Sequence, residues 1–314
     1  MTPDGLMQRA VELAMRGKGH TRPNPAVGAV LARDGAIVGE GWHRRAGEAH
    51  AEAAAIADAG AAAAGADLYV TLEPCSKPGR VGACTDAIAA AGVGRVFYAV
   101  EDPNPKNAGG AKGALAAHGI PCEMFAGSPE TVHSAKRLVR DFSKFVLKGL
   151  PYVTVKLAMS LDGRICDRWG DAKWISSEKA RARTGLLREE VDAIMVGAET
   201  VRRDNPSLLS HGRPNPDLVR VVVSRSGNLP QDAQIFTDGE NETLVFDDAE
   251  RALRELAGRG IMHVLCEGGA SLAYSLAKAG FVDEWIAVLS PKVIGDGRIS
   301  QAVEIGSVQC LQDW

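Results

Sequence analysis

Short apolar runs rich in β-branched residues recur along the whole chain, separated by stretches with helical spacing, and this alternation constrains the fold more than any other feature. In the first half, Ala26 to Ala32 and Ala36 to Gly41 flank an Asp34-Gly35 turn and read as a hairpin. Leu68 to Leu72 (LYVTL) and Arg95 to Val100 (RVFYAV) read as further strands. Helices are expected over Leu6 to Arg16, the alanine-rich Ala49 to Ala64, Cys84 to Ala91 and Lys112 to His118, with Gly119 as a C-cap. Such alternation specifies an α/β domain whose sheet is covered by helices.

A connecting helix is expected over Thr131 to Val146, and Gly149-Leu150-Pro151 then interrupts the pattern. A second series of strands starts at Tyr152 (YVTVKLA). It continues with Ala193 to Val196, Val219 to Val223, Thr243 to Phe246, Met262 to Cys266 and Glu284 to Leu289. The 314 residues accommodate two domains of roughly 150 residues. The expected division is 1–147 and 148–314, both α/β.

A net charge of −3 gives no general attraction to nucleic acid or to an anionic membrane, so neither is expected as a partner. No run reaches the ~18 apolar residues of a membrane span. Met1 to Arg9 lacks the basic-then-apolar order of a secretory leader. The six cysteines, Cys75, Cys84, Cys122, Cys166, Cys266 and Cys310, are too scattered for a disulfide framework. A cytoplasmic protein with free or metal-bound thiols is expected.

His50, Cys75 and Cys84 stand out as potential metal ligands. Catalytic zinc takes three protein ligands and keeps one position open, and imidazole and thiolate are suitable donors. No fourth ligand is apparent near the three, which favours an open site over a closed structural one. Glu52, two residues after His50, can approach a bound water without being a ligand. Cys75 follows a strand and Cys84 opens a short helix, whose N-terminus favours a thiolate. The H-x-E…P-C…C order is the zinc-deaminase signature, although here the cysteines lie nine positions apart and not three. In that chemistry zinc brings the pKa of its water near neutrality, and the glutamate carries the proton to the ring and the leaving ammonia. A lone His-x-Glu is weak evidence, and two buried cysteines beside a helix-end histidine are the bland account. The run Thr71-Leu72-Glu73-Pro74-Cys75 with a second cysteine outweighs it.

These residues carry a family resemblance over nearly the whole chain. Pro23-Asn24-Pro25-Ala26-Val27-Gly28, Gly41-Trp42-His43, His50-Ala51-Glu52, Tyr69 to Cys75 and Asp102-Pro103-Asn104-Pro105 resemble the bifunctional deaminase-reductases of riboflavin biosynthesis. So do Lys156 to Gly163, Trp174-Ile175-Ser176, Arg188, Val196 to Val201, Asp204 to Leu208 and Glu267-Gly268-Gly269. In that family the long cysteine spacing is normal. The resemblance implies a cytidine-deaminase-like α/β/α domain followed by a dihydrofolate-reductase-like α/β domain. It implies a single zinc ion in the first and NADPH in the second. The substrate it implies is a phosphorylated pyrimidine, deaminated by hydrolysis and then reduced from a ribosyl to a ribityl chain. A homo-oligomer is expected.

The resemblance further implies that Asn24 and His43 line the deaminase pocket and that Asp102 and Asn104 bind the phosphoribosyl portion. Lys77 stands where the family has a pocket histidine, and Arg80 keeps a basic residue there. In the reductase half, Trp174, Arg188, Leu208, His211 and Arg213 are the expected substrate contacts, Arg188 for the phosphate. Lys156, Ala158, Ser160, Asp162, Ser176, Thr200, Asp204, Glu267, Gly268 and Gly269 are the expected cofactor contacts. Lys156 and Asp204 are the polar residues expected nearest the reaction. The glycines would let backbone N–H groups approach a pyrophosphate.

The family pattern is not matched everywhere. Gly110 replaces an arginine after the Asp102 motif, with Lys106 and Lys112 as candidates to compensate. Ala172 replaces a serine, and Leu209-Ser210-His211 replaces Thr-x-Arg, with Arg213 near enough to serve. On the family pattern a further strand is expected beyond Trp314. Two rival readings follow: a paralogue acting on another pyrimidine or purine-derived phosphate, and a zinc-stabilised assembly module without activity.

Overall fold

The computed structural model describes residues 1–78, 82–167, 169, 175–210, 212, 214–295 and the backbone of 303–304. The chain divides into two compact units, Met1–Pro151 with Arg259–Met262, and Tyr152–Gly258 with His263–Trp314.

In the first unit the chain runs through α1 (Pro3–Met15), β1 (Gly28–Arg33), β2 (Ala36–Trp42), α2 (Ala51–Ala59) and β3 (Asp67–Val70). It continues through α3 (Cys84–Ala90), β4 (Arg95–Tyr98), α4 (Gly110–Ala116), β5 (Cys122–Met124), α5 (Pro129–Leu138) and α6 (Arg140–Lys148). The sheet order is β2-β1-β3-β4-β5. The β1–β2 hairpin is antiparallel and turns at Asp34 and Gly35, both at positive φ. β3, β4 and β5 are parallel. The period of two in β1 builds the layers. Ala29 and Leu31 pack with Ala51, Ala55, Ile88, Ala111 and Leu115. Val30 and Ala32 face the other way, onto Met7, Ala10, Ala14, Ala135 and Leu138. Helices α2, α3 and α4 therefore cover one face of the sheet, and α1 and α5 the other.

The first unit departs from the sequence expectations at three places. The connecting helix is two helices, broken at Val139 (φ −105°, ψ 6°). There the ammonium of Lys18 takes the Leu138 carbonyl and pairs with Asp141, so the ladder gives way to a buried tertiary contact. Strand β5 escaped the sequence reading because Cys122-Glu123-Met124 is too short and too polar to stand out. The expected helix over Ala49 to Ala64 ends at Ala59 and gives way to a tighter turn over Gly60–Ala63, Gly60 having positive φ.

The second unit holds β6 (Tyr152–Ser160), α7 (Glu178–Glu189), β7 (Ala193–Gly197), α8 (Ala198–Asp204), β8 (Val219–Val223) and α9 (Gln234–Thr237). It goes on with β9 (Thr243–Phe246), α10 (Ala249–Gly258), β10 (His263–Cys266), α11 (Ala270–Lys278), β11 (Glu284–Ser290), β12 (Lys292–Val293) and β13 (Val303–Glu304). Its main sheet runs β11-β6-β10-β7-β8-β9, every neighbouring pair parallel. Strands β7, β8 and β10 are buried almost throughout, as strands covered on both faces must be. Their apolar side chains form a core with Val201, Leu218 and Ile235.

Candidate functional site: a His-Cys-Cys centre and a second cleft

The two glycines of β2 set the position of α2. A Cβ on Gly41 would fall 2.3 Å from the Ala55 nitrogen and 2.4 Å from the Ala51 oxygen, and one on Gly39 would fall 2.5 Å from the Ala55 oxygen. Only glycine lets α2 lie this close to the strand. His50 is the residue before that helix and Glu52 sits in its first turn, buried. Cys84 opens α3, on the same face of the sheet. Cys75 comes from the segment leaving β3.

These elements gather three donors. His50 Nδ1 lies 3.1 Å from Cys84 Sγ and 3.7 Å from Cys75 Sγ. The donor atoms all lie within 4.8 Å of one another. A tetrahedral zinc with bonds of about 2.0–2.3 Å needs donors roughly 3.5 Å apart, so this soft, compact set fits that ion. The Cys84 N–H donates to Cys75 Sγ at 3.3 Å, from the start of α3. The Cys75 thiol is held well below its ordinary range, first by the Cys84 thiol beside it and then by His50 and that N–H. Cys84 moves the other way, because hydrogen bonding to Cys75 and burial keep its proton in place. Burial pushes the Glu52 carboxyl up.

A small cavity of about 110 Å³ opens onto this cluster. Asn24, His43, His50, Glu52, Cys75 and Asp102 line it, with Glu73 and Phe142, which the sequence reading did not single out. Phe142 comes from the first turn of α6, just after the break at Val139. The ring of His43 is fixed at both nitrogens: Nδ1 donates to the Ala49 carbonyl at 3.0 Å, so Nε2 accepts from Asn24 Nδ2 at 3.1 Å. Burial pushes the pKa of His43 down, which suits this neutral ring. Asn104 and Lys77 are not in the lining. Asn104 donates its backbone N–H to Asp102, and Lys77 donates to the Lys106 carbonyl at 2.5 Å. Arg80 lies outside the described residues.

The second unit carries a larger cleft of about 730 Å³. Lys156, Ala158, Ser176, Arg188, Thr200, Asp204, Leu208, Glu267, Gly268 and Gly269 line it. Arg188 and Glu267 form a two-pronged ion pair, Nε to Oε1 at 2.6 Å and Nη2 to Oε2 at 3.1 Å, and Arg188 also donates to the Leu209 carbonyl. Burial pushes the Lys156 ammonium down, against the pull of Glu267. Leu208 is buried at φ 56°, a left-handed conformation rare for a branched side chain. Ser160 and Asp162 are off the cleft, in a turn where Ser160 Oγ donates to Asp162 and Asp162 accepts the N–H groups of Ile294 and Gly295. Trp174, His211 and Arg213 lie outside the described residues, as does Ala172. Arg181 and Thr184 also line the cleft. Their spacing from Arg188, seven and four residues along α7, put them on one helix face and was the available signal.

Comparison with known proteins covers both units. Residues 2–100 match the family model for the zinc-binding region of cytidine and deoxycytidylate deaminases. Residues 151–310 match the RibD C-terminal domain. Riboflavin biosynthesis protein RibD of Bacillus amyloliquefaciens is 41% identical, over 98% of this chain and 89% of its own. RibD of Escherichia coli strain K12 is 36% identical, over 94% and 89%. Among solved structures, Acinetobacter baumannii RibD, form 1, superposes with a TM-score of 0.81 at 35% identity, covering 94% of this chain and 88% of that one. A Thermotoga maritima diaminohydroxyphosphoribosylaminopyrimidine deaminase/5-amino-6-(5-phosphoribosylamino)uracil reductase gives 0.84 at 34%, covering 95% and 91%. Among the described residues, no helix is long and apolar enough to cross a membrane.

Proposed function

Because the chain belongs to the RibD family and is a bifunctional deaminase-reductase of riboflavin biosynthesis, we propose which of its residues perform each reaction. The unit of residues 1–147 deaminates a diamino-hydroxy-phosphoribosylaminopyrimidine, and that of 148–314 reduces the ribosyl chain of the product with NADPH. The observation that carries the first assignment is the convergence of His50, Cys75 and Cys84 beside the buried Glu52.

His50 Nδ1, Cys75 Sγ and Cys84 Sγ are the donors for zinc, a Lewis acid that makes water a nucleophile near neutral pH. The Glu52 carboxylate would take one proton from the attacking water and pass it to the ring nitrogen, then take the second from the hydroxyl now on the ring carbon and pass it to the amine, which leaves as ammonia. Burial suits this work, because a carboxyl with a raised pKa can hold the proton between the two transfers. Asn24 and His43, locked to each other, orient the ring. Leu72, Val27 and Phe142 wall the cavity with apolar surface. Asp102 turns its carboxylate to the ribosyl hydroxyls.

In the second unit NADPH supplies the hydride. Lys156 and Asp204 flank the reacting carbon, and Arg188 binds the substrate phosphate through the N–H donors that its pairing with Glu267 leaves over. Thr200, Ser176, Gly268 and Gly269 accommodate the dinucleotide, and Gly269 precedes α11, whose N-terminus favours an anion.

The test follows both reactions on one sample: metal content, ammonia released from the diaminopyrimidine phosphate, then NADPH oxidation. One zinc per chain with both activities supports the assignment. Zinc without ammonia release points to the paralogue acting on another ring phosphate, which the exchange at Lys77 makes the next reading. Ammonia release without NADPH oxidation removes the second assignment.

A further inference from the structure

The segment from Asp102 to Ala111 is fastened to the turn that carries Cys75 by two side chains that do different work. Glu73 is buried, and its carboxylate accepts three backbone N–H groups, those of Asp102 (3.2 Å), Gly109 (3.0 Å) and Ala111 (3.0 Å). It thereby fixes the path of the segment through its backbone. Asn107 works in the opposite direction. Its Nδ2 donates to Asp102 Oδ2 at 2.7 Å, and its Oδ1 accepts the Ser76 N–H at 3.0 Å. The other oxygen of Asp102 accepts the Asn104 N–H at 2.8 Å. Both carboxylate oxygens of a cavity-lining acid are thus held, one by the Asn104 N–H and one by the Asn107 side chain.

We propose that Asn107 is a positioning residue of the deaminase pocket, aiming the Asp102 carboxylate at the substrate and tying it to the residue that follows the metal ligand Cys75. The inference rests on Asp102 meeting the substrate, as assigned above. A carboxamide is suited to the place because it donates on one side and accepts on the other. An aspartate at 107 keeps the acceptor for Ser76 and loses the donor to Asp102. An alanine loses both. Since Glu73 holds the backbone independently, either change leaves the fold and the metal centre intact and releases only the aim of Asp102.

The experiment compares Asn107→Ala, Asn107→Asp and Asp102→Asn as full-length zinc-loaded enzymes. It measures KM and kcat for ammonia release from the diaminopyrimidine ribosyl phosphate, zinc content, and NADPH oxidation as an internal control. A hydrogen bond to a charged group sets the expected rise in KM at about tenfold for both Asn107 variants. Zinc stays at the wild-type ratio, NADPH oxidation is unchanged, and kcat stays within about threefold. The proposal is overturned if Asn107→Ala leaves KM within twofold while Asp102→Asn raises it, or if Asn107→Asp restores the wild-type KM. It is overturned equally if KM rises only in step with zinc loss, which is the mark of a merely structural role. A wild-type KM in Asp102→Asn removes the assignment of Asp102 itself and the proposal with it.

Discussion

The two units solve the same problem, holding a polar substrate over a sheet, one mixed and one all parallel, with opposite means. In the first, the chemistry is concentrated in a few side chains, with His50, Cys75 and Cys84 drawn within 4.8 Å beside a cavity of about 110 Å³. In the second, the lining is spread from Lys156 to Gly269 around about 730 Å³, and part of it is backbone. A metal centre needs particular side chains at particular distances. A dinucleotide cleft needs room, N–H groups and a few charges. The first site should therefore fail abruptly on single substitutions and the second by degrees.

The sharpest break is removal of a ligand. Cys75→Ser is expected to lose zinc and to lower deamination by about 10³-fold or more, with NADPH oxidation of the deaminated intermediate unchanged. Metal analysis with both assays checks it, and a matching fall in the second activity would end the separation of the units. Glu52→Gln comes next: zinc is retained, while kcat for ammonia release falls by about 10²–10⁴. In the second unit Arg188→Ala breaks a mostly buried ion pair and takes from Glu267 its two-pronged partner. A loss of roughly 3 kcal/mol in stability is expected, read by denaturant unfolding, with a KM for the intermediate raised 10- to 100-fold and deamination intact. Graded losses across Arg181, Thr184 and Arg188 would sharpen the contrast, and an all-or-none loss at any of them would blunt it.

Gly41→Ala tests the first unit from behind. The added methyl meets backbone atoms of α2 at 2.3 and 2.4 Å, so α2 must move and His50 with it. The expected cost is about 1–3 kcal/mol, together with weaker zinc retention in a chelator competition. The smallest effect lies at Asp162, whose carboxyl is held down at about 2 by Ser160 and the N–H groups of Ile294 and Gly295. Because its folded value lies below the ordinary ~3.9, its contribution is present above that value and is lost as pH falls towards 2. Asp162→Asn should flatten the dependence of stability on pH across that window, measured by unfolding at constant ionic strength.

What could be read from the chain follows the same division. The metal centre was legible because residue chemistry announces it: few roles call for His50, Glu52, Cys75 and Cys84 in that order. Strands such as Val219–Val223 were legible because burial on both faces writes itself as an unbroken β-branched run. The break at Val139 was not, since it depends on Lys18, more than a hundred residues earlier, reaching the Leu138 carbonyl. Nor was Asn107, whose partners Ser76 and Asp102 meet only after β3 and β4 have paired. Arg181 could have been found from its helical spacing to Arg188, but among Arg181, Arg183 and Arg188 spacing alone does not say which face is wet.

Strand order in the second sheet also sets a schedule for making it. Strand β6 is the first strand of that sheet to leave the ribosome, yet its neighbours are β10 and β11, the register placing Tyr152 beside His263 and Thr154 beside Glu284. At about 5–20 residues per second, the growing chain carries Val153 and Val155 without partner strands for roughly 5–20 s. The first unit has no such wait, because β1 pairs with β2 across a two-residue turn as both emerge. During synthesis the strands of the deaminase half thus find their partners while the reductase half is still an open edge. The interval is when a chaperone has most to offer this chain.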